Sequence, residues 1–235
     1  MSRPTSRARV IGGVAVALFV VVGLLFGFTV VSTDEEAASQ VGFDPMAYVD
    51  GIWDDARTAI TESAVPLADV LSRIEPADDG KAAKAELAPV AQELGLITTG
   101  EALVFPVTAT ATVTDADTES SRGTVGLAVD GYDGPIKVRA YIGTRLPSDE
   151  SSVRDATGFI KFGDFRDQTE YGKVAAEINK RVVAGLEAAG FSGEAASSLV
   201  GKQVDLTGAF TLRTFNQPRI DVSTITLVPV ELAVP

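Results

Sequence analysis

The chain has 235 residues, a formal net charge of −12 at pH 7, and neither histidine nor cysteine. These absences exclude an imidazole base, a thiol nucleophile, a disulfide and a zinc site built from imidazoles or thiolates. The acidic balance disfavours a nucleic-acid partner, because it repels phosphate backbones. The remaining carboxylate, Lys, Ser, Thr and Tyr side chains form no recognisable catalytic motif, so we predict no catalytic residues, no enzymatic activity, no metal and no cofactor.

The N-terminal region contains an uncharged run of 22 residues, 10–31. At 1.5 Å per residue this run makes a helix of roughly 33 Å, which matches a hydrocarbon core of about 30 Å. Three arginines precede it and three acidic residues follow it, an arrangement that orients the N-terminus in the cytoplasm. The sequence therefore predicts a cytoplasmic tail at 1–9, a single-pass transmembrane signal-anchor helix at 10–32, a tether at 33–42 and an extracytoplasmic domain at 43–235.

A cleaved signal peptide is the alternative interpretation of this segment. Its apolar core usually has about 7 to 15 residues and ends at a small-x-small site. The run in this chain is longer, and residues 28–32 make a poor cleavage site. A retained anchor is favoured, and lipid attachment is excluded because there is no cysteine to modify.

The first part of the domain, 43–100, is predicted to be mainly helical. Asp44 is a suitable N-cap, and Pro45 follows it at the first helical position. Apolar residues then recur with helical spacing, and Pro66 restarts the pattern. A further helix is expected at 82–94.

The second part, 101–235, begins with residues that are typical of strands. Turn-forming residues separate three such runs, and together they predict an antiparallel meander. Its strands are expected at 104–114, 123–130 and 136–142.

A long helix is expected after this meander. Residues 158–162 predict a short strand, and the pair Asp167 and Glu170 predicts a capping box that opens a helix at 168–189. Ser192 is expected to cap a short helix. Two closing strands, joined by a loop at 214–218, are then expected at 203–212 and 219–230.

Helices and strands are grouped rather than alternating, which indicates an α+β fold. Short antiparallel strands interrupted by one long helix are typical of a small barrel that resembles an OB-fold. We therefore predict an N-terminal transmembrane helix, a helical segment, and then an antiparallel OB-like, partly open β-barrel with an inserted long helix.

Several segments, in order along the domain, carry a resemblance to a known family. They are Phe43-Asp44-Pro45, Val138-x-x-Tyr141-Ile142-Gly143, the stretch from Val153 to Tyr171, and Gly208-Ala209-Phe210 with Phe215-Asn216-Gln217. The chain resembles an uncharacterised bacterial family of predicted periplasmic lipoproteins, domain of unknown function 2291. Arg154 to Tyr171 is the most specific stretch.

The resemblance implies a role in transport rather than catalysis. Members of this family are often encoded beside sugar ABC transporter components, which implies an accessory role with a transporter permease or a solute-binding protein as partner. No activity is established for the family, so no catalytic residue is carried over. This chain lacks the lipid-accepting cysteine, and we expect the transmembrane helix to replace the lipid anchor.

The densest polar group in the chain lies within that specific stretch. Its members are Arg154, Asp155, Asp164, Asp167 and Gln168, in an aromatic frame of Phe159, Phe162, Phe165 and Tyr171. Planar polar side chains and aromatic faces hold sugars, so we predict a ligand or partner contact here. The alternative is structural, with the polar groups used in capping and ion pairing and the phenylalanines in the core.

A second predicted contact is the amide pair Asn216 and Gln217. Asn is also a common turn former, so the alternative is a plain loop.

The favoured function is a membrane-anchored extracytoplasmic accessory or binding protein that works with a sugar-type ABC transporter. One alternative is an envelope glycan hydrolase with Asp164 and Asp167 as its paired carboxylates. Another is a structural cell-envelope protein that acts through its acidic surface. The identity of any small-molecule ligand is unknown.

Overall fold

A computed structural model describes residues 42–235. The predicted cytoplasmic tail, the predicted transmembrane helix and all but the last residue of the predicted tether lie outside these residues. None of the helices from residue 42 onward has the length and apolar character needed to cross a membrane.

The first helix, α1 (Pro45–Ser63), begins where the sequence predicts. The carboxylate of Asp44 accepts hydrogen bonds from the backbone N–H groups of Met46 and Ala47, at 3.0 and 3.1 Å. This cap satisfies donors that a helix N-terminus otherwise leaves unpaired. A two-residue strand, β1 (Val65–Pro66), follows α1 and pairs with the main sheet.

The rest of the helical part contains more strand than predicted. After α2 (Leu67–Ser72), strand β2 (Lys81–Ala83) precedes α3 (Lys84–Leu94), so the predicted helix at 82–94 begins two residues later. Strand β3 (Leu96–Ile97) then leads to the barrel.

Three strands form the predicted antiparallel meander. They are β4 (Leu103–Asp117), β5 (Thr124–Val129) and β6 (Lys137–Tyr141). Strand β4 continues three residues beyond the predicted end, and its register with β5 shifts between Val113 and Asp115. The extra residue on β4 is a bulge, which bends the strand and increases its twist.

Two further strands, β7 (Gln203–Leu212) and β9 (Thr224–Ala233), complete the barrel. β7 is antiparallel to both β4 and β9, and β9 is parallel to β6. The pairings therefore run from β4 through β5, β6, β9 and β7 back to β4, which forms a ring rather than a partly open sheet. The parallel pair was not predicted, and the long connection between β6 and β9 makes it possible.

The predicted closing strand at 219–230 is wrong as a single element. Residues Arg219–Asp221 form a separate strand, β8, which pairs with β2 in a two-stranded sheet. The main sheet is resumed only at Thr224.

Two helices, α4 (Ser152–Ala156) and α5 (Gln168–Ala188), lie between β6 and β7. The strand predicted at 158–162 is wrong: Gly158 has a φ of +70°, and Phe162–Asp164 forms a 3₁₀ turn. The positive φ at Gly158 and the tight turn that begins at Phe162 are incompatible with the extended backbone of a strand.

The short helix predicted after Ser192 is present with Ser192 at its N-cap position, but the Ser192 side chain does not cap it. Gly193–Leu199 is a 3₁₀ helix whose N-cap side chain makes no capping hydrogen bond. The Ser192 hydroxyl is buried and has no hydrogen-bond partner among the described residues.

The barrel encloses the main core. Phe105 and Phe210 are opposite each other on β4 and β7, and their rings stack with centroids 4.9 Å apart. Both side chains are fully buried, so they contribute strongly to the burial that stabilises the barrel. α1 and α5 pack against each other.

Candidate functional site

Arg154, the central residue of the predicted polar group, belongs to α4 and is buried against α5. Its Nε and Nη2 donate to Oδ1 of Asp155 at 2.8 and 2.7 Å, and its Nη1 donates to the backbone carbonyl of Tyr171 at 3.1 Å. The guanidinium carbon also lies 3.5 Å from the centroid of the Tyr171 ring, a cation–π contact. The Arg154 side chain thus links α4 to α5.

Asp155 has equally complete contacts. Its Oδ1 accepts a hydrogen bond from the Tyr171 hydroxyl at 3.1 Å, and its Oδ2 accepts one from the Ser151 hydroxyl at 2.8 Å. The side chains of Arg154 and Asp155 are only 9% and 7% exposed. We call Ser151, Arg154, Asp155 and Tyr171 the buried network; its donors and acceptors satisfy one another, as buried polar groups require.

The surroundings of Tyr171 keep its hydroxyl protonated. Burial, reinforced by the negative charge of Asp155, raises the pKa of Tyr171 to about 12, although Arg154 opposes the shift. A protonated phenol is the hydrogen-bond donor that Asp155 needs, so the pKa shift and the geometry agree.

The other acidic residues of the predicted group act as caps. Asp164 Oδ2 accepts from the backbone N–H of Lys161 at 3.1 Å, at the start of the 3₁₀ turn. Asp167 Oδ1 accepts from the backbone N–H groups of Glu170 and Thr169, at 3.0 and 2.9 Å, and these bonds lower the pKa of Asp167. A glycosidase acid requires a raised pKa, so this environment does not suit Asp167 for that role.

The predicted capping box at α5 is present in an altered form. The Glu170 carboxylate accepts from the backbone N–H of Arg166 at 3.0 Å, one residue before the N-cap. Gln168 is exposed at the first position of α5, and its side chain has no hydrogen bond to any residue in the described part of the chain.

The aromatic frame divides into a packed part and an exposed part. The ring of Phe165 contacts those of Tyr48 and Tyr171, with centroids 5.4 and 5.5 Å apart. Phe162 meets the edge of Tyr171 at 5.7 Å yet remains 47% exposed, and Phe159 is 40% exposed. These two phenylalanines are therefore not core residues.

The amide pair lies in the loop between β7 and β8. Asn216 has a φ of +55°, and the Gln217 N–H donates to the carbonyl of Thr214 at 3.1 Å. The buried Thr214 hydroxyl donates to the carbonyl of Glu101 at 2.5 Å, which attaches the loop to the segment after β3. Within residues 42–235, no hydrogen bond or ion pair joins this loop to the buried network.

Exposed apolar side chains flank both predicted contacts. Phe215 is 71% exposed beside Asn216, and Ile97 is exposed on β3. Gly158, next to Phe159, faces β3, because a Cβ placed there would lie 3.7 Å from Cδ1 of Leu96. We call Ile97, Phe159, Phe162 and Phe215 the apolar rim.

The family of this chain is shown by a match to a family model. The model described as "Predicted periplasmic lipoprotein", domain of unknown function 2291, matches residues 17–233. The chain belongs to this family. The family description implies a location outside the cytoplasm at a membrane, and this member has no cysteine to carry a lipid.

Structural comparison agrees with the predicted barrel of this family member. An OB-fold protein from Thermotoga maritima matches with a TM-score of 0.56 and 17% identity, over 83% of this chain and 99% of the other. At this identity the likeness shows the fold alone. None of the curated proteins matches the chain.

Sequence reasoning missed Ser151 and the Tyr171 carbonyl as parts of the network. Ser151 lies four residues before Asp155, the spacing that brings side chains together on a helix. Residues 147–152 consist of proline, serine and acidic residues that are typical of an exposed loop, so the sequence does not indicate that Ser151 begins a helix. Within the described residues, no group of three or more carboxylates could hold a metal ion.

Proposed function

We propose that this family member is an extracytoplasmic accessory protein that binds a component of a sugar-type ABC transporter through the apolar rim. The partner is the transporter permease or its solute-binding protein. Family membership supports the location, and the genomic association implied by the family supports the transporter.

The observation that carries the proposal is the exposure of Phe159 and Phe162 on a segment whose two ends are held. At one end, the Thr157 hydroxyl donates to the carbonyl of Arg154 at 2.8 Å. At the other end, Asp167 caps α5. Exposed aromatic side chains on fixed backbone favour protein binding, since they bring large apolar area at a small cost in ordering.

The predicted polar residues have two different roles in this proposal. Arg154 and Asp155 are positioning residues, because their polar atoms already contact one another and Tyr171. Asp164, Gln168, Asn216 and Gln217 are exposed and supply the polar border of the contact. Such a border around apolar anchors is the usual arrangement of a protein interface.

The proposed membrane attachment is the single-pass helix at 10–32, with the N-terminus in the cytoplasm. This helix replaces a lipid anchor, which the chain cannot carry because it has no cysteine. Alkaline phosphatase fused to the C-terminus should be active in intact cells, because it folds only outside the cytoplasm. An inactive fusion that is present at normal abundance would refute this topology.

Partner binding can be tested by purifying the tagged full chain from membranes in mild detergent. We expect transporter subunits to co-purify with the wild type, and the recovery to fall about tenfold or more when Phe159 and Phe162 are both changed to Ser. A matched control changes Val200 and Val234 to Ser, because these side chains are similarly exposed but lie outside the rim.

The control variant should recover transporter subunits as the wild type does. Equal losses in both variants would show that the rim is not the contact. If the wild type itself recovers no transporter subunit, the proposed partner is wrong.

A further inference from the structure

A second candidate site is a cleft of about 570 Å³ between α5 and two connecting segments, one just before β5 and one just after β6. None of its lining residues belongs to the buried network or the apolar rim. Those used in the argument are Arg122, Arg145, Leu146, Asn179, Lys180 and Val183.

The charge of this cleft is opposite to that of the chain. Arg122, Arg145 and Lys180 line it, although Lys180 pairs with Glu177 at 2.7 Å, and Glu187 is the single carboxylate among the described lining residues. The chain as a whole has a net charge of −12. An anion repelled elsewhere on the domain is therefore attracted here.

Two of these cations have no carboxylate partner among the described residues. Neither Arg122 nor Arg145 makes a side-chain hydrogen bond or ion pair with any residue of the described chain. Every other arginine in residues 42–235 contacts a carboxylate. In so acidic a domain, two guanidinium groups left unpaired on one cleft indicate a site for an external anion.

The backbone holds the two arginines in a fixed relation. The Arg145 N–H donates to the Ser121 carbonyl at 3.0 Å, and the Ile142 N–H donates to the Gly123 carbonyl at 2.9 Å. Gly143 lies so close to this turn that a Cβ would overlap the Ser121 carbonyl oxygen. The segments that carry Arg122 and Arg145 are thus locked together before any ligand arrives, which lowers the entropic cost of binding.

We propose that this cleft binds a small organic anion, whose carboxylate or phosphate group lies between Arg122 and Arg145. Guanidinium groups match both anions with paired N–H donors. Leu146 and Val183 supply an apolar wall for the rest of the molecule. The Asn179 amide nitrogen donates to the Glu150 carbonyl at 2.9 Å, which anchors a polar side chain in the same wall. The volume is within the range of small-molecule sites, about 300 to 1,000 Å³.

The test uses the full chain in non-ionic detergent and isothermal titration calorimetry. The probes are inorganic phosphate, glycerol 3-phosphate and glucuronate. The variant R122Q/R145Q removes both guanidinium groups, and the control R73Q/R219Q removes the same charge from two exposed arginines that pair with Glu93 and Asp79. A third variant, R122K/R145K, keeps the charge but removes the paired donors.

We expect saturable one-site binding of at least one probe to the wild type. The affinity should fall about tenfold or more in R122Q/R145Q, since each charged hydrogen bond lost is expected to weaken binding by that order. It should stay within about twofold in the control, and R122K/R145K should lie between them. The preferred probe then distinguishes phosphate from carboxylate ligands.

Absence of saturable binding by all three probes at about 1 mM, the weak end of specific affinity, would overturn the proposal. Equal affinity in the wild type and R122Q/R145Q would also overturn it. If R122Q/R145Q does not fold, the single variants R122Q and R145Q provide the same comparison. The outcome is independent of the proposed transporter contact, since no rim residue is changed.

Discussion

Arg154 is buried against Asp155 and Tyr171, whereas Arg122 and Arg145 line an open cleft and have no carboxylate partner. Both regions combine arginines with residues of the same long helix, α5. In the first region the polar groups satisfy one another, so they stabilise the fold. In the second region they remain available, so they can bind a ligand. The difference shows that the density of polar residues in a sequence is a poor guide to their availability.

The same substitution in the two regions should give the largest contrast. Arg154→Ala leaves the buried Asp155 carboxylate without its charged partner, and we expect it to lower the free energy of unfolding by about 3–5 kcal/mol. Arg122→Ala removes an exposed side chain that has no carboxylate partner, and it should change the free energy of unfolding by less than about 0.5 kcal/mol. Urea unfolding of the full chain measures both. Similar values for the two variants would abolish the distinction.

A smaller effect is expected at the phenol of the buried network. Tyr171→Phe keeps the ring under Arg154 but removes the donor to Asp155, and should cost about 1–2 kcal/mol. The Ser151 donor to the same carboxylate remains. Urea unfolding at pH 7 measures the loss, and a cost as large as that of Arg154→Ala would contradict this ranking.

The Tyr171 pKa adds a pH dependence to the same comparison. The folded-state pKa of about 12 exceeds the ordinary value of 10, so folding favours the protonated phenol. This stabilisation is complete below about pH 10 and is lost as the pH rises to about 12. The stability difference between the wild type and Tyr171→Phe should therefore shrink over that interval. A constant difference would show that the hydroxyl is not in the buried network.

The smallest expected effect concerns buried hydroxyls that lack a partner. Ser192 Oγ and Thr211 Oγ1 are buried without a hydrogen bond to any described residue. Removing such a group eliminates its desolvation cost, so Ser192→Ala and Thr211→Val should be neutral or stabilising by up to about 1 kcal/mol. Thermal unfolding measures this, with Ser151→Ala as a destabilising control because Ser151 binds Asp155. Destabilisation by both variants would show that these hydroxyls have partners.

Local signals were sufficient for much of the fold. Asp44 with Pro45 predicted the start of α1, and Asp167 predicted the start of α5, because a cap depends on atoms within four residues. The meander of β4, β5 and β6 was predicted for the same reason, since short turns join neighbouring strands.

Pairing between distant segments was not predictable in this way. Residues 158–162 have the composition of a strand but pair with none of the described strands, and Arg219–Asp221 pairs with β2 rather than with the barrel. The parallel pair of β6 with β9 also depends on the course of a long connection. Strand-like composition predicts that a segment can pair in a sheet. The identity of its partner strand depends on distant parts of the chain.

For the functional residues, the amino-acid order alone determined the acidic character, the absence of histidine and cysteine, the family and the concentration of polar groups from Arg154 to Tyr171. Tertiary structure decided which of those groups are buried against one another, and it left Phe159 and Phe162 exposed in the same stretch of chain. It also brought Arg122 and Arg145 to one cleft beside α5. The physical reason is that caps and charge are properties of neighbouring residues, whereas burial and the partner of a side chain depend on packing between distant elements.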